Sequence, residues 1–216
     1  MKAIVVAGGD AAAEDAAHLA DAEMVIAADS GAAWLTRVGV RPDLVIGDMD
    51  SIDPALLDRL AMEGTTVERH AADKDQSDGE LALDRAVEAG ADDVLILGAL
   101  GGDRIDHELS NLLMLADPRW RGRRLRIVRD GTTVRALRAG ERLELEAEPG
   151  DFVTLLALAA DAAGVRTEGL LFPLRGETLE LGRSRGLSNQ VDHVPASVSL
   201  DGGTLLVIET RKETSP

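Results

Sequence analysis

Cysteine is absent from the 216 residues of the chain, tyrosine is absent too, and aromatic residues make up only 2%. Without cysteine, disulfides and thiolate metal sites are excluded. With so few aromatic residues, a buried core has to consist of Leu, Val, Ile and Ala. Such a core is feasible because 45% of the residues are hydrophobic, a share that also argues against a disordered chain.

Basic residues are scarce: 23 Lys and Arg face 39 Asp and Glu, for a net charge of −16. We therefore expect no nucleic-acid partner, because binding to that backbone depends on Lys and Arg that neutralise phosphates. A bound nucleotide remains compatible with this charge, since a divalent cation can mediate between carboxylates and phosphate. No apolar run approaches the length of a membrane span, and the run after Met1 is too short for a signal peptide. We expect a cytoplasmic protein with no membrane partner.

Short apolar runs alternate with helical patterns over the first 130 residues. The runs lack polar alternation, as is typical of parallel strands covered on both faces, and they are AIVVAG, MVIAAD, LVIGD, TTVERH, DVLILG and LRIVRD. Between them, apolar residues recur at helical spacing, as at Leu109, Leu112, Leu113 and Ala116. This alternation predicts a doubly wound, mostly parallel α/β domain over residues 1–130.

Two positions carry the signature of a helix start. Asp53 precedes Pro54, which predicts an N-cap followed by the first helical residue. Ser77 and Glu80 have the spacing of a capping box. We therefore assign Asp53 to a structural role, although it belongs to the acidic stretch LVIGDMDSIDP.

The pattern changes after residue 130, where short β-rich segments are separated by Gly, Asp or Pro and no long helical pattern occurs. The segment LDGGTL, residues 200–205, predicts a hairpin turn, because glycine supplies the positive φ that tight hairpins need. We predict a small all-β domain, a β-sandwich, over residues 131–216. The predicted fold class is thus α/β followed by all-β.

Asp48 and Asp50 follow the third predicted strand and lie two positions apart, so in an extended chain they project to the same side. Together with Asp78 from the next crossover they could supply carboxylate oxygens to Mg²⁺, which takes its remaining ligands from water and substrate phosphates. The alternative is a solvated turn, and for Asp78 an acidic residue that suits the dipole of the helix after Ser77.

Polar and glycine clusters follow the other predicted strands as well. Because ligands of open parallel sheets bind beyond the carboxyl ends of the strands, we predict a ligand site there. Its candidate residues are Gly8, Gly9, Asp29, Ser30, Gly31, Lys74, Asp75, Gly101, Gly102 and Arg104. Glycines let the backbone approach a ligand closely, and Lys74 is a point-charge donor that suits phosphate. Taken singly, each cluster could also be a solvated turn.

Taken in order, six segments resemble the thiamine pyrophosphokinase family: ADSGA, RPDLVIGDMDSI, DKDQSDGELAL, GALGGDRIDHELSN, LLFPL and GLSNQV. The resemblance implies an α/β nucleotide-binding catalytic domain (1–130), a thiamine-binding β-sandwich (131–216), and a homodimer with active sites between subunits. It also implies an Mg²⁺-dependent enzyme that transfers a diphosphate group from ATP to the hydroxyl of thiamine, giving thiamine diphosphate and AMP.

The same resemblance implies roles for single residues. Asp48, Asp50 and Asp78 would hold Mg²⁺, and Lys74 and Arg104 would join them in catalysis. The ligand site at the strand ends would bind the nucleotide, with Gly31, Lys74, Asp75 and Arg104 facing it and its phosphates. The residues that would face thiamine are Asp106, His107, Phe172, Ser188 and Asn189. Ser30 and Ala33 depart from the family's usual A-D-G-G-A-N run, and Phe172 stands where the family often has Trp or Tyr.

Two other functions remain open from the sequence. The acceptor could be a different primary alcohol, such as a hydroxymethylpterin, because a related nucleotide domain could serve that reaction. Alternatively, the chain could be a non-catalytic sensor of thiamine or nucleotide. The complete acidic set argues against a sensor, which has no need to neutralise charge that develops in a transition state.

Overall fold

The computed structural model describes residues 1–212, and the chain divides into two compact units, Met1–Asp130 and Gly131–Pro216. The first unit alternates strands and helices. Its strands are β1 (Lys2–Val6), β2 (Met24–Ala28), β3 (Leu44–Gly47), β4 (Thr66–Arg69), β5 (Asp93–Leu97) and β6 (Arg124–Arg129). Its α-helices are α1 (Gly31–Arg37), α2 (Pro54–Met62), α3 (Asp78–Glu88) and α4 (Ile105–Met114). Two 3₁₀ segments cover Glu14–Asp21 and Pro118–Trp120.

The six strands of the first unit form a parallel array in the order β6-β5-β1-β2-β3-β4. All six predicted strands are confirmed. Because every neighbouring pair is parallel, the carboxyl ends of the strands meet at one edge of the sheet. The strand order reverses beside β1, with β2 on one side and β5 on the other, and such a reversal is where open α/β sheets bind ligands.

The helix starts predicted from the sequence are also confirmed. The Asp53 carboxylate accepts a hydrogen bond from the Ala55 backbone at 3.0 Å at the start of α2. The Ser77 hydroxyl accepts one from the Glu80 backbone at 3.2 Å at the start of α3. These caps fix where the crossover helices begin, and α3 begins at a residue of the predicted metal site, Asp78.

Helix α4 has the predicted period, but its apolar side is not buried. Ile105, Leu109 and Leu113 are 73%, 54% and 57% exposed, and no residue of the helix is buried. Across residues 1–212, none of the helices combines the length and the apolar character needed to cross a bilayer.

The core of the first unit consists mainly of aliphatic side chains from the strands and from α1 and α2. It contains Ile4, Val6, Val45, Leu95 and Leu97, which are all fully buried. The residues between them in the chain, such as Val5 and Ile96, point to the opposite face of the sheet and are buried as well, which explains why those runs show no polar alternation.

The second unit consists of eight strands and no α-helix among its described residues. They are β7 (Thr132–Arg138), β8 (Arg142–Glu144), β9 (Phe152–Ala157), β10 (Ala162–Glu168), β11 (Arg175–Leu179), β12 (Asn189–Gln190), β13 (Ser197–Ser199) and β14 (Thr204–Thr210). Strands β12-β9-β14-β7 are neighbours in one antiparallel group, and β11-β10-β13-β8 form a second antiparallel sheet. Aliphatic residues of both, such as Leu155 and Val198, share one core.

The hairpin predicted at LDGGTL is wrong. The strands on either side of it, β13 and β14, belong to different sheets: β13 pairs with β10 and β8, and β14 pairs with β7 and β9. Gly203 has a φ of +85°, and a Cβ there would lie 2.5 Å from the Asp161 carbonyl oxygen. The two glycines therefore serve a close crossing from one sheet to the other rather than a tight turn.

Replacing Asp53 with alanine should lower the free energy of unfolding by about 1 kcal/mol, because the backbone N–H of Ala55 loses its acceptor. Urea denaturation of Asp53→Ala and of Asp53→Ser measures this difference. The serine variant should retain most of the stability, since its hydroxyl can cap the helix. Equal stability of wild type and the alanine variant would show that the cap contributes nothing.

Candidate active site

Three carboxylates converge at the carboxyl edge of the parallel sheet. Oxygens of Asp29, Asp48 and Asp78 all lie within 4.8 Å of one another, with Asp29 buried and the other two partly buried. Asp29 follows β2, Asp48 follows β3, and Asp78 opens α3. Residues that are far apart in the chain thus meet because β2 and β3 are neighbours.

The backbone around these carboxylates is shaped to bring them together. Asp29 has a φ of +46°, and its N–H donates to the carbonyl of Ile46 in β3 at 2.9 Å. A Cβ on Gly47 would lie 3.1 Å from the Asp78 carboxyl carbon and 3.2 Å from the Asp29 Cβ. Gly47 therefore leaves room for the two carboxylates to approach. Left-handed conformations at non-glycine residues are uncommon and concentrate at functional sites.

Asp50 lies outside this group of three. Met49, between Asp48 and Asp50, has a φ of +67°, so the stretch is not extended as the same-side argument assumed. Asp50 is exposed, and its backbone N–H donates to Asp48 Oδ1 at 3.1 Å. The role of Asp50 as a metal ligand stays a prediction. Asp29, the third member of the cluster, was predicted from the sequence as a nucleotide-binding residue and not as a metal ligand.

The charges of the cluster are only partly offset within the protein. Burial raises the pKa of Asp29, the Ser51 hydroxyl that donates to Asp29 Oδ2 opposes this, and the nearby charges of Asp78 and Asp48 raise it further. The backbone N–H of Asp50 is the main cause that lowers the pKa of Asp48. Packing like charges together raises the pKa of at least one of them unless a cation intervenes.

The carboxylates fit a divalent cation. Asp29 Oδ1 is buried and accepts no hydrogen bond from any described residue, and Asp78 Oδ1 is buried against the ammonium of Lys74. Buried acceptors without a donor are rare, and carboxylate oxygens are the ligands that Mg²⁺ prefers. Asp29, Asp48 and Asp78 are therefore the residues that would hold the ion.

Lys74 provides the nearest positive charge. Its Nζ lies 3.0 Å from Asp78 Oδ1 and donates to the Ala71 carbonyl at 3.2 Å, and its side chain is only 17% exposed. A compact ammonium in this position can act on a neighbouring phosphate while it offsets the carboxylates. Asp75, predicted beside it, is exposed.

The glycine-rich loops after β1 and β5 are in contact with each other. The Gly9 N–H donates to the Gly98 carbonyl at 2.8 Å, and a Cβ on Gly9 would lie 3.1 Å from the Gly101 carbonyl oxygen. On the other side, a Cβ on Gly8 would lie 2.4 Å from Ser30 Oγ. The predicted residues Gly8, Gly9, Ser30 and Gly101 therefore form one row along the sheet edge, and it ends next to Asp29. Gly102 is exposed beside them.

Gly31 has a packing reason to be glycine. A Cβ there would lie 2.1 Å from the carbonyl oxygen of Val6, where α1 starts against the end of β1. A larger residue would push the helix away from the strand. Its predicted contact with nucleotide stays a prediction.

Arg104 and Asp106 bind each other. Arg104 Nε and Nη2 donate to the two oxygens of Asp106 at 2.9 and 2.6 Å, and both side chains are exposed. The guanidinium lowers the pKa of Asp106 to about 2. The sequence assigned Arg104 to nucleotide and Asp106 and His107 to thiamine. In the structure the first two are partners, and His107 is exposed at the start of α4.

The predicted residues of the second unit surround an exposed phenylalanine. Phe172 is 65% exposed. Asn189 holds its backbone from both sides: Oδ1 accepts from the Phe172 N–H at 3.0 Å and Nδ2 donates to the Phe172 carbonyl at 2.7 Å. Ser188, at a φ of +54°, donates its N–H to Thr154 Oγ1 at 3.0 Å. Asn189 is therefore a positioning residue for the loop that presents the ring.

Family models match both units. The model described as thiamin pyrophosphokinase, catalytic domain, matches residues 16–129, and the one described as thiamin pyrophosphokinase, vitamin B1 binding domain, matches residues 141–205. The chain belongs to the thiamin pyrophosphokinase family. Membership in this family confirms the resemblance inferred from the six sequence segments.

Relatives and solved structures of the family cover nearly the whole chain. The thiamine pyrophosphokinase of Bacillus subtilis is 28% identical over 185 residues, which is 86% of this chain and 86% of the relative. Thiamine pyrophosphokinase 2 of Arabidopsis thaliana is 29% identical over 85% of this chain and 71% of its own length. The crystal structure of the Bacillus subtilis enzyme superposes with a TM-score of 0.86 at 25% identity, covering 99% of this chain and 100% of that one.

Replacing Asp29 with asparagine should raise the melting temperature in EDTA by a few degrees, since about 1 kcal/mol shifts it by roughly 2–4 °C in a protein of this size. The pKa of Asp29 is raised in the folded state. Its ionised form therefore opposes folding at neutral pH, and this cost disappears as the pH falls through the raised pKa.

Adding Mg²⁺ should stabilise the wild type and leave Asp29→Asn nearly unchanged, because the ion binds the folded state through the carboxylates. Thermal denaturation at pH 7, in EDTA and in Mg²⁺, measures both effects. Asp53→Asn is the matched control and should respond to Mg²⁺ like the wild type. An equal response from Asp29→Asn would contradict the assignment of Asp29 as a ligand.

Proposed function

We propose that this chain transfers the diphosphate group of ATP to the hydroxyl of thiamine and releases AMP. In this reaction the hydroxyl oxygen bonds to the β-phosphorus, the bond from that phosphorus to the oxygen of the α-phosphate breaks, and the hydroxyl proton is lost. The observation that carries the proposal is the convergence of Asp29, Asp48 and Asp78 in a chain that belongs to this family.

A primary alcohol is a poor nucleophile, so most of the rate has to come from positioning and from the neutralisation of phosphate charge. A bound Mg²⁺ would supply much of that neutralisation. Asp29, Asp48 and Asp78 would hold it, and we propose that Asp50 joins them. Lys74 and Arg104 add positive charge beside the phosphates. Arg104 would release Asp106 in order to bind a phosphate oxygen.

The row of glycines from Gly8 to Gly101 lets the nucleotide approach the backbone without meeting a side chain. We assign the nucleotide to this row together with Asp29, Ser30, Gly31, Lys74, Asp75, Gly101, Gly102 and Arg104. The acidic character of the chain does not oppose this, because the cation and these basic groups offset the phosphate charge locally.

The second unit is proposed to bind thiamine. Phe172 presents an exposed aromatic face, and a cationic thiazolium is attracted to such a face. Ser188 and Asn189 shape the loop around it, and Asp106 and His107 of the first unit are further candidates. A pterin acceptor is disfavoured by the match of residues 141–205 to a vitamin B1 binding domain, and a non-catalytic sensor by the match of residues 16–129 to a catalytic domain.

We further propose that the first unit is the doubly wound catalytic domain (1–130) and the second a thiamine-binding sandwich (131–216). The exposed apolar residues of α4, Ile105, Leu109 and Leu113, support the proposed homodimer, because a second copy would bury them. The cytoplasmic location and the absence of a nucleic-acid partner stay predictions from the sequence.

Purified protein incubated with ATP, Mg²⁺ and thiamine should form AMP and thiamine diphosphate in equal amounts. Asp48→Asn should lower kcat at least about a hundredfold, because the phosphates lose the charge that this carboxylate positions. Its melting temperature should change little, since Asp48 is partly exposed and caps no helix. Asp53→Asn is the control with retained turnover.

Background AMP from the wild type, beside an active family enzyme, would refute the proposed reaction. Product formation from a hydroxymethylpterin but not from thiamine would shift it to the alternative acceptor. Full activity of Asp48→Asn with lost stability would make Asp48 a structural residue.

Replacing Phe172 with alanine should raise the KM for thiamine roughly three- to thirtyfold and leave the KM for ATP unchanged, because only the cation–aromatic contact is removed. Phe172→Tyr should restore binding of thiamine, since it retains the ring. Leu181→Ala, which removes another exposed apolar side chain of the same unit, is the matched control. An equal effect of Phe172→Ala and Leu181→Ala on both KM values would contradict the contact.

A further inference from the structure

Arg129 lies beside the glycine-rich loop without having been singled out by any sequence motif. It is the last residue of β6, and β6 runs parallel to β5, so Arg129 stands at the same sheet edge as the loop that follows β5. A Cβ placed on Gly101 would lie 2.1 Å from Arg129 Nη1 and 2.4 Å from its Cζ. The guanidinium therefore packs directly over Gly101, which itself has a φ of +80°.

Arg129 differs from the other arginines that the first unit withdraws from water. Three arginines there are at least partly buried: Arg85, Arg126 and Arg129. Arg85 binds Glu68 with Nε at 2.9 Å and Nη2 at 2.6 Å, and Arg126 binds Asp93. Within residues 1–212 Arg129 has neither a hydrogen bond nor an ion pair with a carboxylate.

A partly buried guanidinium without a counter-ion is costly, because desolvation is not repaid by a partner. This chain has 39 acidic residues against 23 basic ones, so carboxylates are abundant and the absence of one beside Arg129 is informative. An anion from outside the chain would repay that cost.

The surroundings of Arg129 indicate which anion this is. Gly101 connects Arg129 to Gly9 through the contact between their loops, and the row of glycines continues past Gly8 to Ser30 and Asp29. A ligand that lies along this row would have Arg129 at one end and the carboxylate cluster at the other. A phosphate chain is the anionic part of the proposed nucleotide, and the guanidinium fork matches phosphate oxygens.

We propose that Arg129 binds a phosphate oxygen of the nucleotide and is a further binding residue of the active site. The identity of the nucleotide rests on the proposed function, whereas the position of Arg129 beside Gly101 does not. This role gives the β6 end of the sheet a functional part.

Binding of Mg²⁺ and ATP, in the absence of thiamine, tests the proposal by calorimetry. Arg129→Gln should weaken ATP binding at least about tenfold, because a charge-assisted hydrogen bond is lost. Arg129→Lys should fall between this variant and the wild type, since it keeps the charge and loses the fork. The matched control, Arg123→Gln, makes the same change in charge at the opposite end of β6 and should bind ATP like the wild type.

The kinetic pattern separates phosphate binding from a merely structural role. Arg129→Gln should raise the KM for ATP, leave the KM for thiamine unchanged and not lower the melting temperature of the ligand-free protein. Should this variant fail to fold, modification of wild-type arginines by phenylglyoxal serves instead. Peptide mapping should then show Arg129 protected by Mg²⁺ and ATP, with Arg123 as the unprotected reference.

Equal ATP affinity of Arg129→Gln and wild type, or no protection of Arg129, would overturn the inference even while the wild type converts thiamine. Conversely, ATP binding that depends on Arg129 in a protein that does not act on thiamine would support the inference and refute the proposed acceptor. A wild type that binds no ATP at all would overturn both.

Discussion

The mutual repulsion of three carboxylates is the constraint on which the rest of the first unit depends. Asp29, Asp48 and Asp78 have oxygens within 4.8 Å of one another, and Asp29 Oδ1 accepts no hydrogen bond from the described residues. Bringing like charges together in a partly buried place costs free energy that the aliphatic core has to offset. Gly47 and the positive φ of Asp29 hold the carboxylates in place against that repulsion. A protein keeps such an arrangement when a cation makes it favourable.

The features that could be predicted from the sequence are those that neighbouring residues determine. The six parallel strands and the caps at Asp53 and Ser77 depend on neighbouring residues, and they were predictable. The partnership of Asp29 with Asp48 depends on β2 and β3 lying side by side, which a single sequence does not reveal. The one available signal was that both strands end in an aspartate. Asp50 was placed with Asp48 by assuming an extended chain, and the left-handed Met49 breaks that assumption.

The same limit explains two other differences. The helical spacing of apolar residues predicted α4 correctly. That spacing shows that one side of the helix is apolar, but it does not show which part of the protein covers that side. Leu109 and Leu113 are more than half exposed. At LDGGTL, the glycines correctly predicted a backbone with positive φ, which Gly203 adopts. Residues distant in the sequence, however, determine that β13 and β14 pair with different strands. Turn chemistry is local, and strand pairing is not.

Lys74, Arg104 and Arg129 differ in the contact that a phosphate would have to displace. Lys74 lies against Asp78 and Arg104 is held by Asp106, so each would weaken an existing ion pair in order to bind a ligand. Arg129 has no such partner among residues 1–212, so it would bind a phosphate oxygen without breaking an ion pair. An unpaired guanidinium such as Arg129 would favour the initial binding of the nucleotide. Lys74 and Arg104 would bind phosphate most strongly once its negative charge is large enough to compete with their carboxylate partners. In the proposed reaction, the phosphate charge that develops during transfer would shift that competition. Lys74 and Arg104 would then act most strongly on the transition state, and Arg129 on the bound ground state.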